Sequence, residues 1–167
     1  MDNTNLISTK TQNNISEYLK GMWPVILICG KNGSGKRYVI DSIIKQIESG
    51  MPKGVSRNTY LNLVDPESSS ISIEDIRDIK KRLKHKISSE DKLRIVVIHD
   101  CHRMTQESQN ALLKILEETP PRTFFILSVN NKHKLLPTVI SRTQILEIRN
   151  PTLEEYSRRF NGIDKDK

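Results

Sequence analysis

The sequence has few cysteines, few aromatic residues and no long apolar run. Its 167 residues include two cysteines, too few for a disulfide framework, so a reducing intracellular compartment is the simpler expectation. No apolar stretch approaches the length that spans a membrane. The polar residues 1–5 also lack the apolar core of a signal peptide. Together these absences predict a soluble, cytoplasmic protein with no membrane partner.

Positive charge is what the sequence has in excess. Lysine and arginine number 27 and aspartate and glutamate number 20, which gives a formal net charge of +7. A moderately basic chain is compatible with nucleic acid nearby but does not establish it. The basic residues of Lys80–Lys86 lie opposite an apolar helical stripe that runs from Ile73 to Ile87. That basic face is either a solvated surface or a site for DNA or a protein partner.

A glycine-rich segment, Gly30–Arg37, follows the phosphate-loop pattern G-x-x-x-x-G-K-[ST] up to its last position. The apolar run Val25–Cys29 before it is typical of a buried parallel strand, and apolar residues at helical spacing follow it. Glycines let backbone N–H groups converge on an anion, and a helix N-terminus adds its positive end. A plain glycine-rich turn is the alternative. The predicted phosphate-binding residues are Gly30, Gly33, Ser34, Gly35, Lys36 and Arg37.

Arg37 stands where the pattern requires the serine or threonine hydroxyl that ligates magnesium. A guanidinium has hydrogen-bond donors and no acceptor, so it cannot ligate the metal, although it can contact phosphate oxygens. Two interpretations are open: nucleotide binding that depends less on metal, or a site that has decayed. ATP or ADP is therefore a candidate ligand, and magnesium is a doubtful one.

A second strand end is also incomplete. Phosphate-loop ATPases place an aspartate, usually followed by a glutamate, after an apolar strand to organise magnesium and orient the attacking water. Here the strand at Leu93–Ile98 is followed by His99, Asp100 and Cys101, which supply one carboxylate. Either His99 or Asp100 takes the metal position, and vigorous hydrolysis is unexpected in both registers. The histidines and cysteines near this strand end match no standard zinc spacing, so no metal site is predicted.

The order of the apolar segments predicts the fold. Runs typical of strands lie at residues 25–29, 60–64, 93–98, 123–129 and 144–148. Thr105 is the expected N-cap of a helix that buries Leu112 and Ile115, and Pro120-Pro121 ends that helix. Strands that alternate with helices indicate an α/β fold, in which helices cover both faces of a parallel sheet.

Five segments together carry a family resemblance. They are Ile98–Met104, Asn110–Glu118, Pro120-Pro121, Phe124–Asn131 and Leu135–Thr143. These segments resemble the AAA+ clamp-loader subunits of bacterial DNA polymerase III, and the run NALLKILEE is far more specific to that group than the phosphate loop is. Ile71–Arg77 resembles the delta-prime subunit more than the gamma/tau subunit, as a weaker signal. The resemblance covers residues 20–155. It implies a P-loop NTPase fold of AAA+ type, a three-layer αβα sandwich with a five-stranded parallel sheet.

The same resemblance implies roles for three further residues. Asn130 matches the sensor asparagine that responds to the γ-phosphate, and Asp100 belongs to a degenerate Walker B motif. Arg142 matches the arginine of the family's S-R-C motif, which acts in trans on the ATP of a neighbouring subunit. A surface arginine after a helix is the alternative. Thr143 in place of the cysteine is a mild departure, and no zinc is implied because the family's four-cysteine module is absent.

The resemblance also suggests a division of the chain. Residues 1–20 are expected to form a polar segment with a short helix, 21–150 the AAA+ domain, and 151–167 the start of a lid domain or a flexible tail. We expect the rest of the lid and the collar that joins family subunits into a ring to be missing, in a short variant or a fragment.

The implied function belongs to DNA replication. A delta-prime-like stator, with little ATPase activity of its own, would supply Arg142 to a neighbouring ATPase during sliding-clamp loading. The implied partners are gamma/tau-type and delta-type subunits, with the sliding clamp and primer-template DNA engaged indirectly. The alternatives are an active gamma/tau-type AAA+ ATPase and a stand-alone phosphate-loop nucleotide-binding protein. A small kinase of the latter kind needs an acceptor site, and residues 131–167 supply none.

Overall fold

A computed structural model describes residues 15, 17, 21, 23–49, 59–63, 70–84 and 93–148 of the chain. The strands are β1 (Val25–Cys29), β2 (Thr59–Leu63), β3 (Arg94–Ile98), β4 (Thr123–Val129) and β5 (Gln144–Glu147). The α-helices are α1 (Lys36–Ser49), α2 (Ile73–Lys84), α3 (Gln106–Glu117) and α4 (Pro137–Ile140). Two short 3-10 turns, Cys101–Arg103 and Lys132–Lys134, follow β3 and β4.

All five strands are parallel and lie in the spatial order β2-β3-β4-β1-β5. In the centre of the sheet, Val25 of β1 is aligned with Phe125 of β4, and Ile26 is aligned with Gln144 of β5. The segments that follow β1, β3 and β4 therefore meet at the carboxyl edge, where open α/β sheets bind ligands. The prediction of an α/β fold with a five-stranded parallel sheet is confirmed.

Each face of the sheet has its own apolar core. Leu27 packs on one face with Ile79 of α2 and Leu112 of α3. Ile26, its neighbour in β1, points to the opposite face because side chains alternate along a strand, and it packs there with Ile40 of α1. Helices therefore cover both faces, which confirms the predicted three-layer arrangement.

Local caps fix where two helices begin. The Thr105 hydroxyl accepts a hydrogen bond from the N–H of Ser108 at 3.2 Å, so the predicted N-cap of α3 is confirmed. Before α2, the N–H of Ser72 donates to Asp75 at 2.7 Å and the N–H of Asp75 donates back to the Ser72 hydroxyl at 3.3 Å. Ile71 also bridges to the end of the turn after β3. The start of α2 is thus attached to the strand end that carries Asp100.

Three predicted strands have boundaries that are wrong by one residue, and the second strand of the chain is wrong at both ends. The second strand is Thr59–Leu63, the third begins at Arg94 and the fifth ends at Glu147. Ile148 is buried and donates its N–H to the Cys29 carbonyl at 2.7 Å, although β5 ends before it. A difference of one residue at the end of an element is within the range over which definitions of secondary structure vary.

Parts of several predictions lie outside the described residues. Ile15 is helical and buried, in keeping with the predicted N-terminal helix, but most of that segment is not described, nor are Lys86, Ile87 and the proposed lid start at 151–167. Among the helices that the structure describes, none combines the length and apolar composition that a membrane crossing requires.

Candidate functional site

The loop between β1 and α1 has the backbone that its glycines predict. Gly33 and Gly35 have φ angles of 77° and 83°, in the left-handed region that glycine adopts without steric cost. Gly30 leaves no space for a side chain, since a Cβ atom there would collide with the Ser34 hydroxyl. The loop is closed by the Ser34 N–H, which donates to the Lys31 carbonyl at 3.1 Å.

Lys36, the first residue of α1, folds back over this loop. Its Nζ donates to the carbonyl oxygens of Gly30 at 2.7 Å and Lys31 at 3.1 Å. Burial lowers the pKa of Lys36, and the negative charge of Asp100 partly opposes that shift. Phosphate oxygens are stronger acceptors for an ammonium group than neutral carbonyls, because both partners are then charged. The lysine is therefore positioned to exchange its backbone contacts for an anion.

A cleft of about 590 Å³ opens beside the loop, a size typical of small-ligand sites. Its lining residues are Asn32, Gly33, Gly35, Lys36, Arg37, His99, Asp100 and Ser128. Five of the predicted site residues thus lie together, and they come from the segments that follow β1 and β3. Asn32 and Ser128 were not predicted.

Asp100 lies in a left-handed turn at the end of β3, with φ 50° and ψ 46°. Aspartate tolerates this region better than most residues because its short polar side chain makes local hydrogen bonds. The N–H of Asp100 donates to the hydroxyl of Ser128 at 3.2 Å, which ties the turn to β4. A serine in the otherwise apolar run of β4 is the sequence signal that would have identified Ser128.

The two neighbours of Asp100 differ in exposure to the cleft. His99 lines it, and burial, with a further contribution from the charge of Arg37, lowers the pKa of this histidine. Cys101 is fully buried, its thiol donates to the Ile98 carbonyl at 3.3 Å, and burial raises its pKa to about 12. Of the three candidate residues after β3, only His99 and Asp100 therefore reach the cleft.

No metal-binding cluster is found in the described part of the chain. No group of three or more histidine, cysteine, aspartate or glutamate side chains there is arranged to hold a metal ion. Cys29 is buried like Cys101, and burial raises its pKa to about 11. In both residues burial therefore favours the thiol over the thiolate, which is the form that ligates metals.

Besides Arg142, three predicted site residues do not line the cleft. Asn130 lies after β4 with its Nδ2 3.4 Å from Nε2 of His102, and its buried Oδ1 has no hydrogen-bond partner among the described residues. Ser34 is buried next to Gly30, which also lies outside the lining, and the Ser34 hydroxyl likewise has no described partner. The sensor role of Asn130 and the phosphate-binding roles of Gly30 and Ser34 stay predictions.

Arg142 lies at the opposite end of the sheet from the phosphate loop. It precedes β5, whose first residue is aligned with Ile26 of β1, while the loop begins after the last residue of β1. At about 3.3 Å per residue, the four positions from Ile26 to Gly30 separate the two ends by about 13 Å. Nη2 of Arg142 forms an ion pair with Glu117 at 2.6 Å, and Nη1 donates to the Thr138 carbonyl at 3.0 Å. The guanidinium is thus held at the surface, away from the cleft of its own chain.

Glu117, the partner of Arg142, was not predicted. It ends α3 within the NALLKILEE run, and its side chain is 43% exposed where that of Arg142 is 37% exposed. The NALLKILEE run shows that acidic residues end this helix. It does not show which of its two adjacent glutamates points toward Arg142.

The basic face of α2 is exposed, as the sequence predicts. Lys80, Arg82 and Lys84 are solvent-exposed, and Lys81 forms an ion pair with Asp78 at 2.9 Å. A role for this face in binding DNA or a partner stays a prediction.

Comparison with known proteins gives a family match over most of the chain. The family model described as DNA polymerase III, delta subunit, matches residues 12–152. The chain is 27% identical to DNA polymerase III subunit tau of Bacillus subtilis over 150 residues, which are 82% of this chain and 26% of the relative. It is 30% identical to DNA polymerase III subunit delta' of Haemophilus influenzae over 99 residues, which are 59% of this chain and 30% of the relative. The chain thus spans less than a third of either relative.

Solved structures give the same fold. A gamma subunit-related protein of DNA polymerase III from Thermotoga maritima matches with a TM-score of 0.67 and 34% identity, over 85% of this chain and 46% of that one. The RuvB Holliday junction branch migration motor of the same organism matches with a TM-score of 0.64 and 17% identity, over 93% of this chain and 50% of that one. The second likeness concerns the fold alone.

Proposed function

The chain belongs to the DNA polymerase III delta-subunit family of replication proteins, and from that premise we propose that it acts as a delta-prime-like stator of a clamp loader. In this role it presents Arg142 to the nucleotide of a neighbouring subunit and hydrolyses little ATP itself. Its proposed partners are gamma/tau-type and delta-type subunits, with the sliding clamp and primer-template DNA engaged through them. Because the chain spans less than a third of the tau and delta' relatives named above, its assembly is part of the proposal.

The arrangement of Arg142 is the observation that carries this proposal. An arginine that acts in trans has to be exposed, distant from the cleft of its own chain and fixed in direction. Arg142 is partly exposed, precedes the amino end of β5 and is held by Glu117 and by the Thr138 carbonyl. A guanidinium offers five donors in a planar fork, which suits the oxygens of a transferring phosphoryl group.

The composition of the cleft supports low hydrolysis by the chain itself. Asp100 is its one carboxylate, and Arg37 replaces the hydroxyl that would hold magnesium. Efficient phosphoryl transfer requires both a well-placed metal and a group that orients the attacking water. The proposed work of this chain therefore lies at the nucleotide of a neighbour.

The test is ATP turnover by the assembled complex of this chain with the gamma/tau-type and delta-type subunits of the same cell, in the presence of clamp and primed DNA. In the Arg142→Ala variant, we expect turnover at the neighbouring site to fall by about a thousandfold, as for other arginines that act in trans. Lys45→Ala, which removes an exposed charge from α1, is the control and should leave turnover unchanged. Parental turnover with Arg142→Ala would show that the stator proposal is wrong.

A second candidate, an active ATPase of gamma/tau type, is favoured by one observation. Lys36 and Asp100 lie together in the cleft, where charge attraction between them is felt in the pKa of the lysine. That candidate requires magnesium-dependent hydrolysis by the chain alone, which disappears in Lys36→Ala. Absence of turnover by the parent chain would eliminate it.

A further inference from the structure

Magnesium does not fit the cleft beside the phosphate loop. This ion requires oxygen ligands in near-octahedral geometry, usually with one or two carboxylates of the protein. The side chains that line the cleft offer one carboxylate, from Asp100, an amide oxygen, from Asn32, and a Ser128 hydroxyl that already accepts a hydrogen bond. None of these is the hydroxyl that the pattern places directly after the lysine to complete the site. At the position of the pattern's hydroxyl the chain has a guanidinium, which donates hydrogen bonds and accepts none.

Arg37 brings a positive charge to the lining of the cleft. Arg37 and His99 line the same cleft, and the charge of Arg37 acts on the His99 ring at the end of β3. That strand end is where phosphate-loop ATPases organise their metal. The guanidinium therefore belongs to the lining of this cleft, and its positive charge acts at the strand end where such a metal would bind.

The charges of the lining favour a polyphosphate. Lys36 and Arg37 contribute two positive charges and Asp100 contributes one negative charge, a formal excess of one positive charge. A cleft lined mainly by one sign of charge concentrates ligands of the opposite sign. Lys36 already folds onto two carbonyl oxygens, so its ammonium is in place for an acceptor that enters above the loop.

We propose that the cleft binds a nucleoside polyphosphate without magnesium, and that the Arg37 guanidinium contacts the phosphate oxygens that the metal would otherwise neutralise. This inference deepens the proposed stator role by naming the ligand of the subunit's own cleft. It concerns Arg37 and Lys36 rather than Arg142. Binding without hydrolysis is then a property of the site, because the cation that neutralises the phosphates cannot activate water.

The experiment is calorimetric titration of the purified chain with ATP and with ADP, in excess magnesium and in excess EDTA. We expect measurable binding in both conditions, with Kd values that agree within about threefold. The metal-free nucleotide carries more negative charge, so binding in EDTA should be the tighter of the two. Binding that appears only with magnesium, or no binding in either condition, would overturn the proposal.

Variants of Arg37 and Lys36 test which side chain is responsible for nucleotide binding without magnesium. Arg37→Thr restores the hydroxyl of the pattern and removes the guanidinium, so binding in EDTA should weaken by about tenfold while binding in magnesium is retained. Arg37→Thr binding in EDTA as tightly as the parent would overturn the role of the guanidinium. Lys36→Ala should abolish binding in both conditions, and unchanged binding by that variant would also contradict the proposed site.

Two controls separate this result from folding and from the stator role. Lys45→Ala removes a charge from an exposed position of the same helix, α1, and should bind nucleotide like the parent. Circular dichroism melting of each variant establishes that it is folded. Arg37 is exposed, so its replacement should not disturb the core. Nucleotide binding by the isolated chain does not involve a partner. A failure here therefore leaves the Arg142 proposal intact, and a failure of Arg142 in the complex leaves metal-free binding intact.

Discussion

The two ends of the sheet differ in how much of the family's chemistry they keep. At the carboxyl end, the cleft has the phosphate loop and Lys36, but it has Arg37 and a single carboxylate where a metal and a second acid are expected. At the amino end, Arg142 is anchored by Glu117 and by a backbone carbonyl. In the proposed function, one end lacks groups that would act on its own nucleotide, while the other end acts on the nucleotide of a neighbour. The comparison teaches that loss of hydrolysis in such a chain does not imply loss of function.

The largest expected effect on stability comes from a variant that adds the missing acid at the carboxyl end of the sheet. Cys101→Glu supplies the missing acid in one register of the motif, but Cys101 is fully buried and bonded to the Ile98 carbonyl. A larger, charged side chain there overpacks the core and buries an unpaired carboxylate. We expect a loss of about 3 kcal/mol or more in the free energy of unfolding, and no gain in ATP turnover.

His99→Glu is the matched control for that prediction. It places the same carboxylate two residues earlier, where the side chain lines the cleft near Arg37. Its cost in stability should stay below about 1 kcal/mol, because the charge remains hydrated and has cations nearby. Urea unfolding followed by circular dichroism measures both variants. A Cys101→Glu variant as stable as the parent and active as an ATPase would break the comparison between the two ends.

A smaller effect is expected at the amino end, from the anchor of the arginine. Glu117→Gln keeps the length of the side chain and removes the charge that pairs with Nη2 of Arg142. If Glu117 positions the guanidinium, turnover by the neighbouring site should fall by about tenfold, through kcat rather than KM. The free energy of unfolding should change by less than about 1 kcal/mol, since a partly exposed ion pair contributes little.

Glu118→Gln provides the comparison for the anchor. Glu118 is the adjacent exposed glutamate of the same run, so its change removes the same charge without the contact to Arg142. We expect turnover of the complex with this variant to match the parent. Equal losses in the two variants would point to the net charge of the surface rather than to the direction of the guanidinium.

The sequence allowed the fold and part of the site to be predicted, because both depend on local patterns. The apolar run of β1, the glycines of the loop and the Thr105 cap each act within a few residues. The contacts that distinguish the two ends of the sheet join residues that are far apart in the sequence. Asp100 and Ser128 are separated by 28 positions and meet only because of the register of β3 and β4. The orientation of Cys101 likewise depends on the left-handed turn at Asp100, which an apolar pattern does not encode.

The smallest expected effect concerns that turn. Ser128→Ala removes the hydroxyl that accepts the N–H of Asp100 at 3.2 Å, near the carboxyl end of β4. A half-buried N–H without a partner costs about 1 kcal/mol, which urea unfolding can resolve. Ser34→Ala removes a hydroxyl that is also buried but has no described partner, so its cost should be near zero. If the two variants lose equal stability, the bond does not hold the turn. If only Ser128→Ala loses stability, the position of Asp100 depends on β4, and the single carboxylate of the cleft is held in place even without a second acid beside it.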